Sequence, residues 1–139
     1  MKKIDYVIDA LIKYNKEIQE TKVYMFTGIG RVAYAKECQT VKIDVGRQTG
    51  KSWYIARTAK PEDIIVCMQN YTADIMKERI NGFNFEFVKI ITPPDIFEMK
   101  IEIDYDTVWI DDAYHFDKKV LNDVYFKFAG KCKQFVLIG

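Results

Sequence analysis

Two glycines, a lysine and a serine are spaced so that they could hold a phosphate chain. The stretch runs from Val41 to Trp53, with a β-branched segment before the glycines and a helical segment after them. Glycine permits the tight, positive-φ backbone that turns peptide N–H groups toward one point. The N-terminus of the following helix adds partial positive charge at that point. This layout predicts a phosphate-binding P-loop formed by Gly46, Arg47, Gln48, Thr49, Gly50, Lys51, Ser52 and Trp53.

Each polar residue at the end of this loop has an expected role. Lys51 is placed to reach the β- and γ-phosphates of a nucleotide, and the Ser52 hydroxyl is placed to contact Mg²⁺. The spacing departs from the usual pattern, which would put the first glycine at position 45. That position is Val45 here, and the glycine follows at Gly46.

A second candidate motif is an apolar strand that ends in two carboxylates. Residues 108–110 are Val-Trp-Ile, and Asp111 and Asp112 follow directly. This is the pattern of a Walker B element, in which Asp111 would hold Mg²⁺ opposite Ser52. Asp112 stands where many ATPases have a glutamate that orients the attacking water, and its side chain is one methylene shorter. The simpler alternative is that both aspartates begin a turn and cap the next helix.

The apolar pattern predicts the elements that position these motifs. Apolar residues at helical spacing predict helices over residues 3–20, 51–59, 70–81 and 120–128, with Asn70 capping the third and Gly82 ending it. Short apolar runs predict strands over residues 40–45, 63–68, 85–91, 107–110 and 134–138. A glycine-centred β-hairpin is expected over residues 22–35, and loop or short irregular structure over residues 94–104.

Strands that alternate with helices predict an α/β fold with a mainly parallel sheet and helices on both faces. In such sheets ligands bind beyond the carboxyl ends of the strands, where both candidate motifs fall. We expect one domain, with a nucleotide-binding core over residues 38–139. Residues 1–37 would form a helix and a hairpin that pack on that core.

Composition narrows the function classes. The 139 residues carry a formal net charge of +1, which gives no general sign of nucleic-acid or acidic-membrane binding. The apolar runs are too short for a membrane span, and residues 1–5 lack the core of a signal peptide. Three widely spaced cysteines, Cys38, Cys67 and Cys132, are typical of reduced thiols in a cytosolic protein. His115 is the only histidine, which excludes a histidine-rich metal site.

Both motifs resemble those of one family. Residues 46–52, Gly-Arg-Gln-Thr-Gly-Lys-Ser, resemble the P-loop of the large terminase subunits of tailed bacteriophages. Residues 110–116 resemble the Walker B element of those proteins, with Asp112 in place of glutamate. Residues 135–139 look like the strand that leads to their coupling motif. The layout is shared more distantly with superfamily 2 helicases, whose Asp-Glu-Ala-Asp box is similar to residues 111–114.

The resemblance implies a RecA-like P-loop ATPase that couples ATP hydrolysis, with Mg²⁺, to movement on double-stranded DNA. Lys51, Asp112 and Arg47 would be catalytic, with Arg47 contacting the γ-phosphate or acting as a sensor. Ser52 and Asp111 would bind the metal. Other copies of the chain or further motor subunits would be partners, and the protein would act in the cytoplasm, that of the host if it is viral.

The resemblance also implies a strand order and marks a departure. The last strand would lie between the P-loop strand and the Walker B strand. A terminase motor continues past this point into further strands and a nuclease, so the chain is expected to be an excised ATPase fragment or a compact relative. Since no acidic cluster is left for a two-metal nuclease, no cleavage activity is predicted.

Other functions stay open beside the motor ATPase. They are a nucleotide-binding regulatory or assembly module with little hydrolysis, a helicase-like ATPase, and a small-molecule kinase. A glutamine, Gln39 or Gln19, is a candidate adenine contact. Trp53 and Tyr54 are interpreted as helix packing, and His115 as a turn residue.

Overall fold

A computed structural model describes residues 3–25, 30–44, 50–82 and 88–139, except for the side chains of residues 20–25. The helices are α1 (Lys3–Met25), α2 (Arg31–Cys38), α3 (Lys51–Thr58), α4 (Asn70–Asn81), α5 (Pro93–Glu98) and α6 (Lys118–Phe128). The strands are β1 (Thr40–Ile43), β2 (Ile64–Val66), β3 (Lys89–Ile91), β4 (Tyr105–Asp111) and β5 (Cys132–Ile138). A short 3-10 helix covers Ala113–His115.

The five strands form one sheet in the order β1-β5-β4-β2-β3, and every pairing is parallel. The predicted mainly parallel sheet is therefore confirmed, and β5 lies between β1 and β4 as the resemblance implied. The register aligns the strand ends, because Ile138 pairs with Ile43 on one side and with Asp111 on the other. The carboxyl ends of β1, β5 and β4 thus meet at one edge.

Each face of the sheet carries its own hydrophobic core, because successive strand residues point to opposite sides. One core joins Val108, Ile110 and Phe135 to Phe128 of α6, together with residues of α2 and α5. The other core joins Trp109 and neighbouring strand residues to α1, α3 and α4. Burial on both faces explains why β2, β4 and β5 are near-continuous apolar runs in the sequence.

Polar contacts as well as apolar ones attach α1 to the second core. Ile8 is fully buried there. The Arg57 guanidinium contacts both carboxylate oxygens of Asp5 at 2.8 Å, and the Tyr54 hydroxyl donates to Asp9. None of the helices in the described part of the chain combines the length and apolar character needed to cross a bilayer.

The predicted hairpin over residues 22–35 is wrong wherever the structure describes it. Residues 22–25 continue α1, and Arg31–Cys38 is helix α2. The β-forming residues Val23 and Tyr24 follow about five turns of α1, and extending a helix fixes one residue per hydrogen bond at little cost. Local strand propensity is a weak signal in that context.

The loop expected over residues 94–104 is partly a helix. Helix α5 begins at Pro93, and both Thr92 atoms that can donate, the backbone N–H and the hydroxyl, contact Asp95 Oδ2 at 3.0 and 3.1 Å. Proline is favoured at the first helical position, where no N–H is needed. The prolines therefore end β3 and also start a helix.

The remaining elements agree with expectation to within a few residues. Asn70 is the first residue of α4 and not its cap, a position held by Gln69. Of the strand predicted over residues 85–91, residues 89–91 are observed, and residues 85–87 lie outside the described part. The predicted end of the P-loop strand at Val45 also lies outside it.

A pair of phenylalanines on α6 tests the core assignment. Phe128 is fully buried, whereas Phe126 on the same helix is 67% exposed. Phe128→Ala is expected to lower the free energy of unfolding by about 3–5 kcal/mol, because it removes apolar contacts and leaves a cavity. Phe126→Ala, the matched control, should cost less than about 1 kcal/mol. Urea unfolding followed by circular dichroism measures both, and equal losses would contradict the core assignment.

Candidate active site

The serine of the first motif and the aspartate of the second meet at the carboxyl edge of the sheet. Ser52 Oγ donates to Asp111 Oδ1 at 2.8 Å across 59 positions of sequence. Ser52 belongs to the first turn of α3, and Asp111 is the last residue of β4. The two motifs that the sequence predicted to converge therefore do so by direct contact.

Lys51 lies at the same edge. Its ammonium group donates to the backbone carbonyl of Gly139, the residue that follows β5. The Gly139 N–H in turn donates to the carbonyl of Ile43 at the end of β1, at 2.7 Å. The lysine thus sits across the ends of β1 and β5, beside the Ser52–Asp111 pair.

Gly50 makes the backbone turn that starts α3. Its φ is +81°, in the left-handed region that favours glycine, and its carbonyl accepts from the Tyr54 N–H at 3.0 Å. The predicted positive-φ glycine is confirmed here. The other loop residues of the prediction, Gly46, Arg47, Gln48 and Thr49, lie outside the described part of the chain.

Burial dominates the electrostatics of Asp111. The residue is 5% exposed, and burial raises the pKa of its carboxyl above the ordinary value. The neighbouring charge of Asp112 raises this pKa further, while the Ser52 hydrogen bond and the positive charge of Arg79 oppose the rise. A bound cation would compensate the buried negative charge.

The same carboxylates affect a neighbouring thiol. Cys67 follows β2 and is fully buried, and its pKa is raised to about 12 by burial and by the charges of Asp111 and Asp112. The thiol is therefore uncharged near neutral pH and is a poor nucleophile.

Asp112 has a strained backbone. Its φ and ψ are 52° and 44°, and among the described residues it is the only one other than glycine with positive φ. Its carbonyl accepts from the His115 N–H at 2.9 Å, which starts the 3-10 helix. The turn in the alternative interpretation is present, and Asp112 is the N-cap residue of this 3-10 helix, although its side chain makes no capping hydrogen bond. The N-cap of α6 is Asp117, whose side chain accepts from the Val120 N–H. Strain of this kind is frequent at functional sites.

An arginine and a tryptophan add a feature that the sequence did not reveal. The guanidinium carbon of Arg79 lies 4.8 Å from the centroid of the Trp53 ring. This cation–π contact holds a positive charge near Asp111. Arg79 comes from α4, 26 positions beyond Trp53, and no local spacing pattern links the two. Trp53 was predicted to pack against its neighbours, and this is only partly confirmed, because the residue is 41% exposed.

The structure also gives the positions of three other candidate residues. Tyr54 is a packing residue as predicted, buried and edge-on to Trp109 with ring centroids 6.0 Å apart. His115 lies exposed in the 3-10 helix. Gln39 immediately precedes β1, at the amino edge of the sheet, which places it away from Lys51.

Ser52 and Asp111 are the residues here that could contribute ligands to a magnesium ion. Ser52 and Asp111 offer a hydroxyl and a carboxylate, the oxygen ligands that Mg²⁺ prefers. Within the described ranges there is no group of three or more His, Cys, Asp or Glu side chains suited to a metal. A cation here would therefore take its remaining ligands from phosphate and water, as Mg²⁺ commonly does.

No family model matches the sequence, and no curated protein matches it either. The functional argument therefore depends on the motifs and on the geometry at the carboxyl edge.

Removing the buried charge at position 111 should stabilise the ligand-free protein. Asp111→Asn is expected to raise the free energy of unfolding by about 1 kcal/mol, because the uncharged amide avoids the desolvation that raises the pKa of the acid. Thermal unfolding by calorimetry without nucleotide or Mg²⁺ measures the change. The matched control is Asp117→Asn, an exposed cap where asparagine works equally well and no change is expected. A destabilised Asp111→Asn variant would contradict this account.

Proposed function

We propose that the protein binds ATP with Mg²⁺ and hydrolyses it as a P-loop ATPase. The hydrogen bond between Ser52 and Asp111 carries the proposal, because it joins the end of the Gly-Lys-Ser segment to the first acid of the Walker B pattern. The β1-β5-β4 order supports it, since it brings Lys51 to the same edge.

Different residues of the chain would bind the phosphates, orient the attacking water and border the nucleotide. Lys51 would leave the Gly139 carbonyl and bind the β- and γ-phosphates, and peptide N–H groups near Gly50 would cradle the phosphate chain. Asp112 would orient the attacking water and accept its proton. Arg47 would contact the γ-phosphate, by analogy with the resembling family. Trp53 and Arg79 would border the nucleotide on the α3–α4 side.

Ser52 and Asp111 would hold the magnesium ion. A bound Mg²⁺ would neutralise charge on the phosphate oxygens and help to align them for transfer. Burial raises the pKa of Asp111 in the ligand-free protein, and a nearby cation would favour the ionised carboxylate and so oppose that rise. The raised pKa is therefore consistent with this role.

For the biological role, we propose a motor ATPase of the kind found in phage terminases, acting on double-stranded DNA in the cytoplasm. The resemblance of residues 46–52 and 110–116 to the terminase motifs supports this assignment. In such a machine a neighbouring copy or another motor subunit would supply an arginine finger. A helicase-like ATPase is the nearest variant of the same proposal.

One feature favours a second candidate, a nucleotide-binding regulatory or assembly module with little turnover. Asp112 is shorter than the usual glutamate, and its left-handed backbone fixes the direction of a side chain that has little reach. If the carboxylate does not reach the attacking water, ATP would bind and set the protein's conformation without rapid hydrolysis.

ATP binding tests the shared part of both candidates. Lys51→Ala should weaken Mg²⁺-ATP binding by about 10- to 150-fold, because a hydrogen-bonded charge on the phosphates is lost. The control is Lys89→Ala, which removes an exposed lysine at the amino end of β3. Isothermal titration calorimetry with and without EDTA gives the affinities. Unchanged affinity in Lys51→Ala would reject the nucleotide site.

Phosphate release separates the motor from the low-turnover module. In a motor ATPase, Asp112→Ala should reduce the rate of phosphate release by about 100-fold or more while ATP affinity stays within a few-fold. Double-stranded DNA should stimulate the wild-type rate. If the wild type releases little phosphate with or without DNA, and Asp112→Glu raises the rate, the regulatory module is the better description.

A further inference from the structure

A cavity lies at the opposite edge of the sheet from Lys51 and Asp111. Its volume is about 340 Å³, and it lies between α1 and the amino ends of β2, β4 and β5. The apolar part of its wall comes from Ile12 and from two aromatic residues, Tyr54 and Trp109. This cavity shares no lining residue with the candidate active site.

One buried amide oxygen in the wall lacks a hydrogen-bond donor among the described residues. Gln134 is 1% exposed, and its Oε1 atom accepts no hydrogen bond from the described residues. Its Nε2 atom donates to Thr107 Oγ1 at 2.9 Å, and that hydroxyl is committed as a donor to Asp106 at 3.2 Å. The amide nitrogen must therefore face Thr107, and the unpartnered atom is an acceptor. Buried acceptors without a donor are rare and unfavourable.

Two carboxylates of the wall, those of Asp63 and Asp106, already have partners within the chain. The Asp63 carboxylate accepts from Trp109 Nε1 at 3.0 Å and from two backbone N–H groups. Asp106 pairs with Lys16 at 3.8 Å and with Lys60 at 3.3 Å. A charged ligand would have to compete with these pairs, whereas an uncharged one would not.

We propose that this cavity binds a small, flat, uncharged molecule with an N–H donor, such as a primary aromatic amide or a nitrogen heterocycle. The donor would bind Gln134 Oε1, and the ring would pack between Ile12 and the aromatic wall. Oε1 is covered in the ligand-free structure, so the amide must rotate slightly to present it. The site is independent of the proposed nucleotide site.

Two uncharged probes of nearly equal shape test the proposal. Benzamide carries an NH₂ group where acetophenone carries a methyl group. The indole N–H signals in ¹H–¹⁵N spectra, assigned with Trp53→Phe, separate the two sites, because Trp109 lines the cavity and Trp53 lies beside Ser52. Benzamide should shift the Trp109 signal saturably, with a Kd of about 1–10 mM, and leave Trp53 unmoved. Acetophenone should bind about fivefold more weakly.

A Gln134 variant tests whether this residue causes the preference for benzamide over acetophenone. Gln134→Met keeps the length of the side chain but removes the acceptor, and should bind the two probes equally. Its melting temperature without ligand should change little, since the variant removes the unpartnered acceptor as well as the hydrogen bond from Nε2 to Thr107.

Three results would overturn the proposal: no Trp109 shift up to about 20 mM benzamide, equal binding of both probes by the wild type, or an unchanged preference in Gln134→Met. The comparison of probes in the wild type stands even if the variant does not fold. Mg²⁺-ATP, added separately, should shift the Trp53 signal, so failure at either site is read independently.

Discussion

The carboxylate of Asp111 is the group on which the arrangement of the carboxyl edge depends. It ends the central strand β4 and is nearly excluded from water, and its burial is offset by the Ser52 hydroxyl, the charge of Arg79 and a backbone hydrogen bond from Asp112. A folded chain retains an acid in such a place at a cost in stability. A bound cation would offset that cost. The burial of Asp111 therefore connects the fold to the proposed chemistry more directly than any single motif.

The parallel sheet fixes the position of Asp111 relative to the end of β1. Asp111 and the end of β1 are separated by almost 70 positions of sequence, yet β5 aligns them through Ile138, which pairs with both Ile43 and Asp111. Two hydrophobic cores hold β4 and β5 rigidly on both faces. The candidate site residues can therefore be on loops and helix ends while their spacing is set by strands, an arrangement common in α/β proteins.

Much of this could be predicted from the sequence, for identifiable reasons. Strands buried on both faces are continuous apolar runs, so β2, β4 and β5 were visible, and their carboxyl ends placed Lys51, Ser52 and Asp111 together. The hairpin over residues 22–35 was wrong because strand-forming residues were absorbed into a long helix. Helix α5 was missed because two prolines were interpreted only as an end to β3. The contact of Arg79 with Trp53 and the unpartnered amide of Gln134 depend on tertiary packing, which residue spacing does not encode.

The position of β1 has a consequence for motion at the site. Among the described strands β1 pairs only with β5, whereas β4 pairs on both sides. Opening β1 breaks one ladder of hydrogen bonds, and opening β4 breaks two. The strand that leads to Lys51 is therefore the more weakly paired side of the candidate site, and the strand that ends at Asp111 is the more strongly paired side. Amide protons of β1 would then exchange with solvent sooner than those of β4, and a ligand bridging both sides would slow β1 most.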